Sequence, residues 1–446
     1  MTRERMTAVD AAWLHMDRDT NRMIVHSVMW CDEPLDWAAV RSVLAQRLVE
    51  RYPRFSQRVV EQRGGVWWED DESFDLERHL HRGRLADPGG AQQLQDYVST
   101  VVGKPLPRSV PLWEVYFLDG FRGRGSALVT RIHHCIADGV ALARVMMSLT
   151  DDPQEAALAA VAPHAGHGPP GAGPVAQLAA GLLADIGEPT HIFEQMGHLA
   201  AGVRATGRLL TLPPDSRTCL HRPPGGDKHA LWSEPVPLSD LRTAAHAAGV
   251  TVNDLMLTAV TGALRAYLAR TDGNAPDVRA VIPVDLRPRG APLPATLGND
   301  FGLAYLQLPA SIDDRRARLA ELRRRTETLK RSPEALVALG TLRMIGRLPY
   351  DAEQVFVRLF AAKASAVVTN VAGPRRPVYL AGRRVCGTIA WPPESGDLAL
   401  GVSIISYDGD VIIGLLTDTD VIRDPRRLLA ETVGEMHELI DLCAVR

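Results

Sequence analysis

The chain has 446 residues, 46% of them apolar and 23% charged, with a formal net charge of −3. That length exceeds one ordinary hydrophobic core and predicts two domains. The near-neutral balance argues against a dedicated nucleic-acid binder, which carries a basic excess. Five cysteines (Cys31, Cys135, Cys219, Cys386 and Cys443) are scattered and never fall in a C-x-x-C pair. This favours a reduced, cytosolic setting over a zinc ribbon or disulfide frame.

The opening "MTRERMTAVDAAWLHMDRDT" has no apolar core of the signal-peptide kind, so secretion is not expected. No apolar run approaches the roughly 18 residues that span a bilayer. A lipid substrate would therefore be met from the surface. Walker A, GxSxG and HExxH patterns are missing, and with them the usual signatures of phosphate-loop, α/β-hydrolase and zincin chemistry.

In chain order, "RMIVHSVMW" reads as a strand and Asp36 as the cap of a helix. Val40, Val43, Leu44 and Leu48 share one face of it, and Pro53 ends it. "RFSQRVVE" and "VWWED", joined at Gly64–Gly65, form a hairpin. "LWEVYFLDGF" and "SALVTRIHHCIA" are two further strands, and "GVALARVMMSL" is the helix after them. This half, residues 1–150, is α/β in character. Residues 151–228 shift to Ala, Gly and Pro and read as a connection. It holds two helical stretches, Val175–Ile186 and the amphipathic Ile192–Leu210, the latter either packed on the domains or laid on a lipid surface.

The second domain, residues 229–446, opens with the helices "LSDLRTAAHAAG" and "TVNDLMLTAVTGALRAYLAR" and the strand "VRAVIPVDLRP". Asp313–Lys330 is a charged helix with Leu319, Leu322 and Leu329 inward and its arginines on a solvated face. "ASAVVTNVAG" is a strand. "LALGVSIISY" and "VIIGLLTD" make the clearest hairpin, because Asp408–Gly409 suits a type I′ turn. Asp424–Pro425 starts a last amphipathic helix, with Leu428, Leu429, Val433, Met436 and Ile440 inward.

Two adjacent histidines stand out in "RIHHCIADGVAL". Strand alternation turns His133 and His134 to opposite faces. Joint ligation of one metal is then awkward, and no third ligand lies at metal-site spacing. The same parity separates Cys135 from His134, so Cys135 reads as a small buried hydrophobe. An imidazole where a strand turns into a helix is well placed as a general base, although a core histidine is the ordinary alternative. Asp138 either caps the helix beginning near Gly139 or pairs with a buried arginine; both roles are architectural. Gly139 fits a backbone position that tolerates no side chain.

"HHCIADG" matches HHxxxDG, the signature of the CoA-dependent acyltransferase superfamily. Several stretches together resemble the bacterial wax ester synthase/diacylglycerol acyltransferase family over nearly the whole chain. They are "AVDAAWLHMDRDTNRMIVHS", "PLW" at Pro111–Trp113, "ND" at Asn253–Asp254, "LGND" at Leu297–Asp300, "TNVAGP" at Thr369–Pro374 and "LALGVSIISYDGDVIIGLLTD". "IVHS" and "TN" depart from the family's usual wording. The resemblance implies an α/β fold with mixed sheets, built as two similar chloramphenicol-acetyltransferase-like domains with a tunnel at their interface. Acyl-CoA would enter as a substrate, and no cofactor is expected. The acceptor would be diacylglycerol or a fatty alcohol, met at a membrane or lipid-droplet surface.

Carried over by that resemblance, His134 is the base that deprotonates the acceptor hydroxyl. Its imidazolium then protonates the departing CoA thiolate, without an acyl-enzyme. His133 supports it, and Arg287 in "PVDLRPRG" is the partner of Asp138. Asn253, Thr369 and Asn370 are candidate oxyanion donors, and Asp254 and Trp113 candidate substrate contacts. Asn253 as a helix cap and Asn370 as a turn residue are the ordinary readings of those two. Two other functions stay open: acylation of a secondary-metabolite hydroxyl or amine, and lipid binding without catalysis.

Overall fold

The computed structural model describes residues 3–62, 64–151, 212–287, 293–332, 338 and 350–444. The helical stretches expected at Val175–Ile186 and Ile192–Leu210 lie outside the described residues.

Strand β1 (Arg3–Arg5) leads to helix α1 (Ala8–His15), whose cap Thr7 accepts from the Asp10 N–H. Strand β2 (Ile24–Cys31) is buried along its whole length. Helix α2 (Trp37–Val43) starts where expected, with the Asp36 carboxylate accepting from the Ala39 N–H at 2.7 Å. Val40, Leu44 and Leu48 are buried as the spacing predicts. Past Val43 the turns widen to a π-helix, and Pro53 opens a separate 3-10 turn. β3 (Gln57–Gln62) and β4 (Gly65–Asp70) form the expected hairpin, and β1 joins its edge. β5 (Leu80–Arg84), α3 (Ala91–Val102), β6 (Trp113–Phe121), β7 (Gly125–His133) and α4 (Gly139–Ser148) complete this half.

The second half runs β8 (Lys228–Trp232), β9 (Val236–Pro237), α5 (Leu238–Ala248), α6 (Val252–Asp272), β10 (Val278–Asp285) and β11 (Phe301–Leu308). Then come α7 (Arg315–Lys330), α8 (Tyr350–Ala361), β12 (Ala366–Ala372), the short β13 (Tyr379–Leu380) and β14 (Arg383–Arg384), and β15 (Gly387–Trp391). The hairpin of β16 (Leu400–Tyr407) and β17 (Asp410–Asp418) turns on Asp408 and Gly409, with φ of 48° and 88°. Positive φ at both residues is what a type I′ turn demands. Helix α9 (Pro425–Ala444) ends the fold, with the Arg427 N–H donating to Asp424.

Two mixed sheets organise these elements. The first has the order β15-β2-β7-β6-β5 and the second β11-β10-β12-β16-β17-β8, with β9 added beside β17. β15 comes late in the chain, yet it pairs antiparallel with β2, Trp391 opposite His26. The chain thus crosses from the second sheet to complete the first and returns.

One core lies under the first sheet and contains Leu128 and Ile132 of β7; another fills the space beneath α5, α6 and α9. A third joins residues of both sheets, including Val129, Trp30, Trp232 and Ile405. The arginines of α7 are not all on a solvated face: Arg318 is 2% exposed and donates to Glu435 of α9 at 2.6 Å. A long guanidinium stem packs in a core once its head is paired.

Candidate active site

β7 ends at His133, and a tight turn follows. The His134 N–H donates to Met23 O at 2.7 Å and the Ile136 N–H to His133 O at 3.0 Å. Asp138 then caps α4, accepting from the Ala141 N–H at 3.0 Å. The same carboxylate takes both Arg287 Nη atoms, one at 3.1 Å and the other closer, and the Asp300 N–H at 3.0 Å. Capping and ion pairing, alternatives from sequence, occur together. Arg287 follows β10 and also donates to Asp285 at 3.0 Å, so the bidentate pair ties the two halves of the chain. Burial alone would raise the Asp138 pKa. The Arg287 hydrogen bonds and charge overcome that and hold it below its ordinary value. Asp138 is therefore a fixed anion, not a proton acceptor.

His134 forms part of the wall of a cavity with about 850 Å³ of empty space, part of it open to solvent. The rest of the wall is mainly apolar: Trp13 and Met16 after α1, Phe301, Leu303 and Tyr305 of β11, Val357 and Phe360 of α8, and the Pro392–Pro393 segment. The imidazole lies against Trp13 with ring centroids 4.2 Å apart and planes at 24°, and Phe301 stands 5.5 Å away. His134 is 5% exposed, and its Nδ1 has no hydrogen-bond partner among the described residues. Burial pushes its pKa down to about 4, against an upward pull from the Asp138 charge. The ring is thus neutral at pH 7, with a lone pair free to take a proton.

A second clamp holds the backbone behind the ring. Asn299 Nδ2 donates at 2.8 Å both to His134 O and to Asp10 Oδ1. Asp10, on α1, also accepts from the Asn299 N–H at 3.1 Å and from Thr7 Oγ1 at 2.7 Å. The Asp10 carboxyl is buried, which raises its pKa, and these bonds oppose the shift.

Strand alternation carries past the end of β7. His133 turns away from the cavity; its Nδ1 accepts from the Cys135 N–H at 3.1 Å, and its Nε2 is 3.9 Å from Asp17. Burial keeps its pKa well below the ordinary value. The Cys135 thiol is pushed well above its own by burial, which suits a core residue and not a nucleophile.

Four expectations need correction. Gly139 is exposed at the start of α4, and a Cβ there would meet nothing within 4 Å. Among the described residues nothing bars a side chain at this position. Trp113 is 1% exposed in the core, its indole N–H donating to Phe55 O at 2.8 Å and its ring stacked on His79. That donor is spent, and the residue does not reach the cavity. Asp254 is also spent, in a capping box with Thr251 and a bond from Thr326 at 2.7 Å. Asn253 and Asn370 bond each other at 2.8 Å, and the cap of α6 is Thr251, not Asn253. Asn370 is exposed near the end of β12, and neither member of this pair is among the residues that line the cavity with His134. Thr369 shares the face of Val367, which lines the cavity.

Trp13, Asp10, Asn299 and Phe301 surround the base without having been assigned to it from sequence. Asp10 and Trp13 lie in "AVDAAW" and Asn299 in "LGND", stretches that carry the family resemblance, and Phe301 directly follows the second.

A neutral histidine on an apolar cavity, above an Asp–Arg-locked turn in a fold of two mixed sheets, defines a CoA-dependent acyltransferase of the HHxxxDG class. Comparison with known proteins narrows this. The model of the wax ester synthase/diacylglycerol acyltransferase catalytic domain matches residues 6–256, and that of the family's C-terminal domain residues 297–440. The chain belongs to this family and is an acyltransferase.

A Mycobacterium tuberculosis protein named "probable diacylglycerol O-acyltransferase" is 29% identical over 441 residues, 95% of this chain and 93% of its own. A counterpart in Mycobacterium bovis is equally similar. Among solved structures, the wax ester synthase/diacylglycerol acyltransferase of Marinobacter aquaeolei superposes with a TM-score of 0.70 at 21% identity, over 99% of this chain and 100% of that one. The first condensation domain of the CDA synthetase does so at 0.61 and 17%, over 100% and 97%. These two bear on the fold, the two-domain chloramphenicol-acetyltransferase-like architecture.

Proposed function

We propose that this protein transfers a long-chain acyl group from acyl-CoA to the hydroxyl of diacylglycerol or a fatty alcohol, with His134 as general base. The observation that carries the reading is the neutral imidazole on the wall of a mainly apolar cavity. His134 takes the hydroxyl proton as the oxygen attacks the thioester carbonyl. The tetrahedral intermediate collapses, the C–S bond breaks, and the imidazolium returns the proton to the CoA thiolate. Such a positioned base contributes about 10²–10⁴-fold. No cofactor enters this sequence; acyl-CoA is a substrate. Asp138 and Arg287 brace the turn, and Thr369, on the cavity-facing side of β12, is the donor we retain for the developing oxyanion.

On this reading the acceptor is met at a membrane or lipid-droplet surface, from the cytoplasmic side. Val355 and Leu359, 65% and 43% exposed, lie one helical turn apart on α8, while Val357 and Phe360 of the same helix line the cavity. This outward apolar pair supports contact with lipid beside the cavity.

The test supplies palmitoyl-CoA with diolein or hexadecanol and follows free CoA together with the lipid product. Triacylglycerol or wax ester formed in step with CoA is the expected result. Tight acyl-CoA binding with no product from either acceptor would overturn the reading in favour of another acceptor or a binding protein.

A further inference from the structure

A general base needs something to hold its ring. In hydrolytic triads a carboxylate does this by hydrogen bonding the nitrogen that does not react. Here Nδ1 of His134 has no hydrogen-bond partner among the described residues. The neighbouring carboxylate, Asp138, is committed to Arg287, the Ala141 N–H and the Asp300 N–H. No carboxylate therefore orients this imidazole; the polar groups beside it are its own backbone and the Asn299 side chain.

We propose that Trp13 is the positioning residue for His134, fixing the ring by stacking where a triad would use a carboxylate. Three observations carry this. The rings lie near parallel at 4.2 Å, and Phe301 closes the cluster at 5.6 Å from Trp13 and 5.5 Å from His134. Trp13 and Asp10 are three residues apart on α1, hence on one face, and Asp10 holds Asn299, which holds His134 O. One helix thus fixes both the ring and the backbone of the base. Finally, the Trp13 indole N–H is itself buried without a partner. An unpaired buried donor is costly, so the ring face, not the N–H, accounts for an indole here.

The chemistry suits the step. An aromatic face neither donates nor accepts the reacting proton, yet it attracts the imidazolium that forms when the proton moves. It also excludes water from the ring, which keeps the base neutral in the resting state. Among the described residues the charged and titratable groups facing His134 are Asp138 with its partner Arg287, His133 beside it in the chain, Asp10 across Asn299, and Tyr305 of β11 on the cavity wall. None of them hydrogen bonds the Trp13 indole N–H, which has no partner among the described residues.

This inference rests on the proposed reaction, and its test separates the two. Rates with palmitoyl-CoA are measured from pH 4.5 to 8 for wild type, Trp13→Phe and Trp13→Leu. A misplaced base costs on the order of 100-fold, so in Trp13→Leu kcat should fall far more than KM rises. Its acid limb should also move up, kcat/KM falling below about pH 6.5 as the hydrated imidazole regains its ordinary value. Trp13→Phe keeps a flat ring and should recover most of the rate, to within about tenfold of wild type. Trp13→Met replaces Trp13→Leu if the latter does not fold. Wild-type turnover with an unchanged limb and kcat in the ringless variant would overturn the role of Trp13. Absence of wild-type turnover would instead sink the acyl-transfer reading.

Discussion

His134 and Asp138 are four residues apart in one turn and are held in opposite ways. Asp138 is saturated: two guanidinium donors and two backbone N–H groups surround its carboxylate. His134 has aromatic faces beside it and an Nδ1 without a hydrogen bond. The first arrangement pins a charge so that it cannot change; the second leaves a neutral group free to change. Burial is common to both and would push each toward its neutral form. Only the carboxylate has partners strong enough to stay charged. A group that braces a site and one that reacts in it are thus distinguished by their hydrogen bonds more than by their depth.

The comparison can be broken from the polar side first. Arg287→Ala leaves Asp138 buried without its countercharge, a change that typically costs about 3–5 kcal/mol. We expect a large fall in the urea midpoint, together with loss of activity as the turn relaxes. A variant of near wild-type stability would show the pair to be ornamental.

Acid titration sharpens the same contrast. His134 has a folded pKa of about 4, below the ordinary 6.5. The unfolded chain therefore takes up its proton first as pH falls. The stability linked to this neutral ring is complete above pH 6.5 and is lost as pH falls through about 4. His133 acts in the same direction. Chemical denaturation at pH 7 and 5 should show lower stability at pH 5, and the loss should shrink in His134→Ala.

The smallest effect is expected at Gly139. A methyl group there enters open space at the first helical position, so Gly139→Ala should change stability by less than about 0.5 kcal/mol. A loss of turnover in a fully stable Gly139→Ala would mark that space as one the substrate needs.

How much was legible in sequence follows from the range of each interaction. The β16–β17 hairpin is written locally, because Asp408–Gly409 favours one turn type. The α2 cap at Asp36 and the opposed faces of His133 and His134 are local too. The Asp138–Arg287 pair, 149 residues apart, was reachable only through the family resemblance. The Asp10–Asn299 clamp joins residues 289 apart, and the resemblance of their two stretches does not say that they meet. No periodicity encodes which loop meets which helix. The crossing of β15 into the first sheet escaped for the same reason. Trp113 is a candidate only as part of the "PLW" motif, and a motif match does not say that its strand buries it. Gly139 misled because a glycine after an aspartate suggests crowding, and the helix start there is open.

The most direct test sets wild type against His134→Ala, with palmitoyl-CoA and diolein, measuring product formation and acyl-CoA binding on the same preparations. We predict loss of triacylglycerol formation by about 10²–10⁴-fold with acyl-CoA affinity retained. Undiminished product from His134→Ala would contradict the assignment of the base and, with it, the reason the turn is built as it is.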